Sequence, residues 1–294
     1  MLPKITLIIP VLNGAQTLER TLDSIRRQEY PNLEIIASDG ASNDGTLKIL
    51  EHADDVITNI LSGPDTGSAQ AINRGFIRST GEIEGWLCSD DALAEGALKN
   101  VAKCFVLDPG LDVLTGGCTR YFPKLDPVIT RPDDKYFEKL TFVNTIEQPS
   151  TFWRRHVRLD TGPLNERMKY AFDWEYWCRF KANGHQFTSI PDLLSEYHFS
   201  DSNLTTTGGR KIIREMYQII REYGPHDGRL ADIYKILYHV FDLNGFYDEP
   251  GACHKPRWQQ AIFHASLRLL YNVVDRSTVN SYNWNWCSKR ERGF

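Results

Sequence analysis

The sequence predicts an α/β fold in which a doubly wound, mostly parallel sheet carries helices on both faces. Apolar, β-branched segments recur within residues 4–88, as expected for strands buried on both faces. Segments with apolar residues at helical spacing lie between them, and strand and helix alternate four times within about ninety residues. This alternation indicates right-handed βαβ units, which build a parallel sheet.

The first strand and helix are predicted within residues 4–32. KITLIIPV at 4–11 is nearly all apolar and predicts a buried strand. Leu18, Leu22 and Ile25 fall at helical spacing, and the proline of EYPN at 29–32 ends the helix.

The same alternation continues to residue 88. LEIIAS at 33–38 predicts the second strand, and a helix is expected from Thr46 to about His52. DVITNI at 55–60 predicts the third strand, followed by a helix over 68–79. IEGWLC at 83–88 predicts the fourth strand.

Composition and charge narrow the class of protein. A chain of 294 residues with 41% apolar residues can bury a large core. The net charge is −4, but the segment from Lys255 to Phe294 carries about +5 and the remainder about −9. The apolar run of about six residues near the N-terminus is too short for a signal-peptide core or a membrane span, so a cytoplasmic protein is expected.

The cysteines do not have the spacing of a metal site or a redox motif. No CxxC pair occurs, and the chain is much larger than disulfide-stapled secreted domains. Reduced thiols are therefore expected at all six positions, which are Cys88, Cys104, Cys118, Cys178, Cys253 and Cys287.

Polar residues stand where the predicted strands end. Ligands of doubly wound sheets bind at the carboxyl ends of the strands, which here carry Asn13, Asp39, Asp65 and the pair Asp90 and Asp91. Each residue alone could simply cap the next helix or shape a turn. Two adjacent carboxylates repel each other, however, and a cation beside them would remove that cost.

The ligand is expected to be a phosphate compound bound with a metal ion. The first strand–helix turn, PVLNGAQT at 10–17, has one glycine where a dinucleotide fingerprint needs three, and no GxxxxGK[ST] motif occurs. A divalent cation held by Asp91 would both neutralise a diphosphate and relieve the paired carboxylates. Carboxylate oxygens suit Mg²⁺ or Mn²⁺.

Six ordered blocks resemble family 2 glycosyltransferases with the GT-A fold, over about residues 4–200. The blocks are TLIIPVLNGAQTLERTLDSI, SDGASNDGT, PDTGSAQAINRG, TGEIEGWLCSDD, QPSTFWRR and GPLNERMKYAFDWEYWCR. The resemblance implies a GT-A catalytic domain at 1–205, with a nucleotide-sugar half at about 1–115 and an acceptor half at about 116–205. Residues 206–294 would form a helical C-terminal extension.

The resemblance also implies roles for individual residues. Residues matching the donor nucleotide site are Pro10, Leu12, Asn13, Asp39, Asp65, Asn73 and Asp90. Asp91 matches the direct ligand of Mn²⁺ or Mg²⁺, and His198 matches a histidine that completes the metal shell in some relatives, although a lone loop histidine is often only solvated. Residues matching the acceptor side are Gln148, Trp153, Arg154, Arg155 and Trp174, of which the two arginines also fit plain surface charge.

Asp173 matches the catalytic base of the family. Its local sequence, with Trp174, Trp177 and Phe180 following, also fits the start of an amphipathic helix, and Glu175 is the alternative base. The implied reaction transfers a sugar, with inversion, from a nucleoside diphosphate sugar, with a UDP-sugar as the expected donor. The acceptor would be a hydroxyl of a growing glycan or a lipid-linked saccharide, and no nucleic-acid partner is expected.

Two other classes fit part of the pattern. A nucleotidyltransferase would share the sheet and the acidic pair. It should also carry a glycine-rich basic loop after the first strand, which this sequence lacks. A non-catalytic sugar-nucleotide-binding relative is the second alternative. The joint presence of Asp39, Asp91 and Asp173 argues against it.

The C-terminal extension is predicted to contain helices over roughly 208–223, 229–246 and 256–275. Its basic segment RWQQAIFHASLRLLYNVVDR, with Trp284 and Trp286 in the tail, predicts a peripheral contact with anionic lipid. The alternative is packing against the catalytic domain or a second subunit in a homodimer, through Ile262, Phe263, Leu267, Leu270 and Val274.

Overall fold

The structure is a computed structural model. It describes residues 2–123, 125–141, 144–200, 203–208, 210–224, 228–229, 231–232, 258, 261–262, 265 and 269. The chain divides into two compact units. The first comprises Met1–Tyr121, Asp126–Asp134 and Ile146–His198, and the second comprises Phe122–Leu125, Lys135–Thr145 and Phe199–Phe294. The predicted domain boundary at residue 205 stays a prediction.

The N-terminal part alternates strand and helix as predicted. Its elements are β1 (Ile5–Val11), α1 (Leu18–Arg26), β2 (Leu33–Asp39), α2 (Thr46–Glu51), β3 (Asn59–Ser62), α3 (Ser68–Arg78) and β4 (Ile83–Trp86). The third strand begins later than predicted, because the N–H groups of Val56 and Ile57 both bond to the carbonyl of Ala53 and close a turn. Ile57 is buried from within that turn.

The following part adds short strands and two helices that flank the sheet. Its elements are β5 (Ala92–Leu93), α4 (Ala97–Leu107), β6 (Val113–Phe122), β7 (Leu125–Thr130), β8 (Thr151–Arg154), α5 (Arg155–Thr161), α6 (Phe172–Ala182) and β9 (Phe187–His198). Two 3₁₀ helices, Asp134–Lys139 and Gln148–Ser150, lie between β7 and β8. In the second unit, α7 (Leu204–Thr207) is followed by α8 (Arg210–Tyr223).

Nine of these strands form one sheet in the described part of the chain, in the order β3-β2-β1-β4-β8-β6-β9-β5, with β7 paired to β6. The first four strands are parallel, β8 is antiparallel to both β4 and β6, and β9 is parallel to β6. The α/β, mostly parallel fold class is therefore confirmed.

Alternate residues of β1 pack into two layers, as strand geometry requires. Ile5, Leu7 and Ile9 face a cluster that includes α1 and α4. Ile8 faces α3, where a Cβ added to Gly75 would lie 2.5 Å from Ile8 Cγ2. Gly75 therefore permits the close approach of α3 to the sheet.

An aromatic cluster fills the interior between the sheet and α6. Trp86 stacks on Trp177 with ring centroids 5.4 Å apart, and Trp153 meets both rings edge-on. Tyr176 and Phe180 extend the cluster along α6. Burial of several large rings holds α6, and with it Asp173, against the sheet.

The C-terminal extension is described only in part. Helix α8 corresponds to the helix predicted over 208–223. The predicted helices over 229–246 and 256–275 lie mostly outside the described residues, as does the aromatic, basic tail. Ile262 is half exposed. Among the described residues, no helix has both the length and the apolar character needed to cross a membrane.

Candidate active site at the strand ends

Asp39 organises the loop after β2. Its carboxylate accepts hydrogen bonds from the N–H groups of Ala41 and Ser42 and, at 2.6 Å, from the hydroxyl of Ser62. Burial by itself raises the pKa of Asp39, but the hydrogen bonds from Ser42 and Ser62 outweigh burial and hold the pKa below its usual value. Asp39 is therefore a buried, ionised carboxylate at the end of a central strand.

The turn after β1 lies beside this loop. Pro10 pairs with Ser38 across the two strands, and Leu12 is 58% exposed. Asn13 has a positive φ of 53°, its N–H donates to Ser42 Oγ, and its side-chain oxygen accepts from the N–H of Asn43. The turn is thus tied to the Asp39 loop, with an apolar side chain projecting outward.

Asp65 follows β3 and lies against the Asp39 loop. Its side chain is 6% exposed, it accepts the N–H of Gly67, and it lies 3.4 Å from Arg74. A Cβ on Gly40 would come within 2.8 Å of Asp65 Oδ2, so the loops of Asp39 and Asp65 touch. Arg74 also donates to the carbonyls of Asp39 and Gly63, which fixes both strand ends to α3.

Asn73 points to a different place from its neighbours in the predicted donor site. Its side-chain amide donates to the carbonyl of Leu164 and to Glu166, and its oxygen accepts the N–H of Leu164. These contacts anchor the loop before α6. A direct contact of Asn73 with a nucleotide stays a prediction.

Asp91 is the most deeply buried member of the acidic pair, with 1% of its surface exposed. Its backbone is fixed at both ends, because its N–H donates to the carbonyl of Cys88 and its own carbonyl accepts from Thr21. Its Oδ1 atom is buried and has no hydrogen-bond partner among the described residues. A buried, unsatisfied carboxylate oxygen is costly unless a ligand completes it.

The electrostatic surroundings of Asp91 also indicate that its carboxylate needs a ligand. Burial raises the pKa of Asp91 well above its usual value, and the charge of Asp90 raises it further. The N–H of His198 and the charge of Arg20 lower it in part. A divalent cation would favour the ionised form, and hard carboxylate oxygens are the ligands that Mg²⁺ and Mn²⁺ prefer.

Cys88 connects this acidic pair with Gln148 and Asp173. Its thiol lies with carboxylate oxygens of Asp90 and Asp91 in a group whose atoms are all within 4.8 Å of one another. Burial, followed by the charges of Asp91, Asp90 and Asp173, raises the pKa of the Cys88 thiol. Asp173 is therefore within electrostatic range of the pair. Gln148 accepts from the thiol at 3.7 Å and donates to the carbonyl of Trp86.

His198 ends β9 beside the acidic pair. Its N–H reaches the Asp91 carboxylate, while its ring stacks on Tyr121 at 4.7 Å and Nε2 lies 3.4 Å from Glu196. Burial and then the charge of Arg20 lower the pKa of His198. This favours the neutral imidazole that a metal requires. The ring does not belong to the group of Cys88, Asp90 and Asp91, however, so its role as a metal ligand stays a prediction.

Asp173 and Glu175 occupy different environments in the first turn of α6. Asp173 is partly exposed, whereas both of its neighbours along the chain are buried, and its Oδ1 accepts the N–H of Trp174 at 2.7 Å. Glu175 is 3% exposed and forms a two-point ion pair with Arg179 at 2.8 and 3.0 Å. Asp173 is the more accessible base of the two.

Two of the predicted acceptor-side residues lie away from the strand ends that carry Asp91. Arg154 pairs with Ile83, the first residue of β4, and so lies at the edge of the sheet opposite to Asp91. It binds the carbonyls of Leu111 and Phe105, and Arg155 lies 3.9 Å from buried Glu84. Antiparallel β8 carries both arginines away from the strand ends that hold Asp91, and a contact of either with an acceptor stays a prediction.

The side chains of Trp153 and Trp174 are also enclosed by protein. Trp153 has no exposed surface and belongs to the aromatic cluster under α6, which leaves it no face for an acceptor. Trp174 is 3% exposed. Gln148 contacts the group around the acidic pair through the thiol of Cys88.

Comparison with known proteins identifies the family. A family model described as Glycosyl transferase family 2 matches residues 6–170, more than half of the chain. The chain belongs to this glycosyltransferase family. One relative is the PGL/p-HBAD biosynthesis glycosyltransferase of Mycobacterium bovis (strain BCG / Pasteur 1173P2). It is 30% identical over an alignment of 204 positions, which covers 66% of this chain and 73% of that protein.

Solved structures share the fold of this glycosyltransferase. S. aureus TarS 1-349 in complex with UDP-GlcNAc superposes with a TM-score of 0.63 at 16% identity, covering 93% of this chain and 84% of that one. The mannosyltransferase PcManGT from Pyrobaculum calidifontis, in complex with GDP-Man and Mn²⁺, gives a TM-score of 0.61 at 18% identity, covering 98% and 85%. The expected GT-A fold is confirmed.

Several charged residues near the site of this glycosyltransferase were not predicted from its sequence. Arg20 on α1 donates to the carbonyl of Asp90, and Arg74 ties the Asp39 and Asp65 loops together. Glu147, 7% exposed, accepts from Arg120 at 2.7 Å, and its charge raises the pKa of Asp91. The only signal for Glu147 was its place directly before Gln148, while Arg20 reads as an ordinary helix-surface residue.

Proposed function

We propose that the chain transfers a sugar from a nucleoside diphosphate sugar to an acceptor hydroxyl, with inversion at the anomeric carbon. The observation that carries the proposal is the buried Oδ1 of Asp91, which has no hydrogen-bond partner in the described part of the chain and stands beside Asp90 at a strand end. Such an oxygen suits a cation that would accompany a diphosphate. Membership of the glycosyltransferase family supports the reaction class.

The donor nucleotide is proposed to bind over the ends of β1, β2 and β3. The Asp39 carboxylate would accept a base N–H, and Leu12, which is exposed beside it, would give the base an apolar contact. Structural neighbours hold UDP-GlcNAc or GDP-Man, which supports a nucleoside diphosphate sugar as the donor class. A UDP-sugar remains the proposed choice.

Asp91 and Asp90 are the proposed holders of Mn²⁺ or Mg²⁺, with His198 as a further candidate. The residues fit such an ion, because Asp91 offers an unsatisfied buried oxygen and lies within 4.8 Å of an oxygen of Asp90. When bound, the ion supplies electrostatic stabilisation of the leaving diphosphate. Arg20 donates to the carbonyl of Asp90 and so holds the backbone of the pair.

Asp173 is proposed as the general base. The acceptor oxygen forms a bond to the anomeric carbon as the bond from that carbon to the diphosphate oxygen breaks, and the hydroxyl proton passes to the Asp173 carboxylate. Its place on α6, which the aromatic cluster holds against the sheet, and its partial exposure support this role. The acceptor is proposed to be a hydroxyl of a glycan or lipid-linked saccharide.

The test measures release of nucleoside diphosphate from UDP-GlcNAc, UDP-glucose and GDP-mannose, with and without Mn²⁺ and with simple glycoside acceptors. We expect one donor to be turned over to nucleoside diphosphate, and the reaction to be lost in Asp91→Asn. A nucleotidyltransferase would instead release pyrophosphate from a nucleoside triphosphate. If the folded protein turns over no donor, or if Asp91→Asn retains full turnover, the proposal is refuted.

A further inference from the structure

A second group of residues whose side chains could hold a metal ion lies at the opposite edge of the sheet from Asp91. Asp112 stands directly before β6, His156 lies in the first turn of α5, and His185 lies in the loop before β9. One ligand atom from each comes within 4.8 Å of the others. We call Asp112, His156 and His185 the Asp112 cluster. It takes no part in the proposed transfer, because it stands at the beginning of β6 and the strand ends that carry Asp91 lie at the other edge of the sheet.

The contacts within the Asp112 cluster are those of side chains turned towards one point. His156 Nε2 lies 3.0 Å from one oxygen of Asp112, and His185 Nδ1 lies 3.6 Å from the other. The two imidazole rings are 5.8 Å apart. In a tetrahedral site with bonds of about 2.1 Å, neighbouring ligand atoms are separated by about 3.4 Å, which lies between the two measured distances.

His185 turns Nδ1 towards Asp112 and Nε2 towards Asp160. Its side chain is only 9% exposed, and its buried Nε2 has no hydrogen-bond partner among the described residues. That nitrogen faces Asp160 Oδ2 at 3.9 Å, a separation too long for a hydrogen bond. Asp160 follows His156 by four residues on α5, so both side chains lie on the same helix face.

The backbone holds the Asp112 cluster in place. The N–H of Gln186 donates to Asp112 Oδ2, and the N–H of Val113 donates to the carbonyl of Gln186. The N–H of Arg154 donates to the carbonyl of Asp112, which fixes the start of α5. Hydrogen bonds that orient a ligand from outside are typical of metal sites.

We propose that the Asp112 cluster binds a zinc ion through Asp112, His156 and Nδ1 of His185, with Asp160 beyond Nε2 as the outer carboxylate that orients the His185 ring. Two imidazoles and one carboxylate suit Zn²⁺, with a water in the fourth position. The ion joins the start of β6, the first turn of α5 and the loop between α6 and β9. It thereby clamps the end of α6 distant from Asp173 and acts on the fold rather than on the sugar transfer.

The test uses the full chain, freed of metal by chelator and gel filtration, and titrates Zn²⁺ by calorimetry in wild type, His156→Ala and His52→Ala. His52 is the matched control, since it is an exposed histidine that caps the C-terminus of α2 and whose ring contacts the carbonyl of Lys48. His156 is half exposed, so its replacement leaves the core intact. We expect one Zn²⁺ per wild-type chain and an affinity at least about tenfold lower in His156→Ala.

Two further measurements separate this site from the proposed active site. Asp91→Asn should bind Zn²⁺ at the Asp112 cluster like wild type, and Co²⁺ added to either protein should give the strong visible absorption of tetrahedral cobalt. His185→Gln should lose that absorption. If His156→Ala and His52→Ala bind Zn²⁺ as tightly as wild type, or if binding is lost in Asp91→Asn instead, the zinc site at the Asp112 cluster is refuted, whatever the outcome for sugar transfer.

Discussion

Replacing Asp173 by Asn should lower the turnover number at least about a hundredfold, which corresponds to about 2.7 kcal/mol of activation free energy. The fold should be unaffected. Asp173 Oδ1 accepts the N–H of Trp174 at 2.7 Å, and an asparagine oxygen can accept the same bond. The side chain is partly exposed, so the replacement leaves no cavity. The affinity for donor should change little.

Glu175→Gln is the matched control, because Glu175 lies two residues further along the same helix. Its carboxylate is buried and paired with Arg179, which is 21% exposed and lies over the ring of Tyr176. Removing one partner of a buried pair costs about 3–5 kcal/mol, and the partial exposure of Arg179 favours about 3 kcal/mol here. Turnover per folded molecule should stay near that of wild type.

The assay combines steady-state release of nucleoside diphosphate with urea unfolding for both variants. The expected result is a crossed one, in which Asp173→Asn loses turnover but keeps its stability and Glu175→Gln does the reverse. Should Asp173→Asn keep its turnover at saturating donor, or lose it only together with stability, the assignment of the base to Asp173 is wrong.

Three further predictions concern other parts of the chain. Burial raises the pKa of Glu34, yet hydrogen bonds from Lys4 and Thr6 lower it from 4.5 to about 2. The ionised carboxylate therefore stabilises the fold fully above pH 4.5, and this contribution is lost as the pH falls towards 2. Glu34→Gln should lower the free energy of unfolding by up to about 3 kcal/mol at pH 7 and reduce its loss in acid. Urea unfolding at several pH values measures both effects, and a pH profile equal to that of wild type would contradict the prediction. Asp39→Ala should weaken nucleoside diphosphate binding at least about tenfold in calorimetry, and unchanged affinity would exclude a contact with the base. Removal of residues 280–294 should abolish salt-sensitive sedimentation with anionic vesicles, whereas a full chain that stays in the supernatant at low salt would leave the packing or dimer alternative.

The parts of the fold that sequence could predict are those in which local pattern and position agree. The apolar run of β1 and the spacing of Leu18, Leu22 and Ile25 specify a buried strand and an amphipathic helix, and the structure has both. The rule that ligands bind at the carboxyl ends of parallel strands then predicted that Asp39, Asp65 and Asp91 lie at one edge of the sheet. The shift of β3 escaped notice because Val56 and Ile57 are apolar yet lie in a turn.

The acceptor half was harder to predict because its strands do not follow the repeat of the first half. β8 runs antiparallel to β4, so a block that begins with Gln148 beside Cys88 ends with Arg154 at the other edge of the sheet. Proximity along the chain therefore did not mean proximity in space. The pairing of Arg120 with Glu147 likewise joins residues 27 apart and has no local pattern.

The central claim is that Asp91 and its neighbours hold a cation with the diphosphate of a donor nucleotide. The most direct measurement is a thermal-shift titration of wild type and Asp91→Asn with UDP, GDP, CMP and TDP, each with Mn²⁺, with Mg²⁺ or with chelator. We expect one nucleoside diphosphate to raise the melting temperature of wild type by a few degrees only when the metal is present, and to leave Asp91→Asn unchanged. Equal stabilisation of both proteins, or stabilisation that persists in chelator, would contradict the claim.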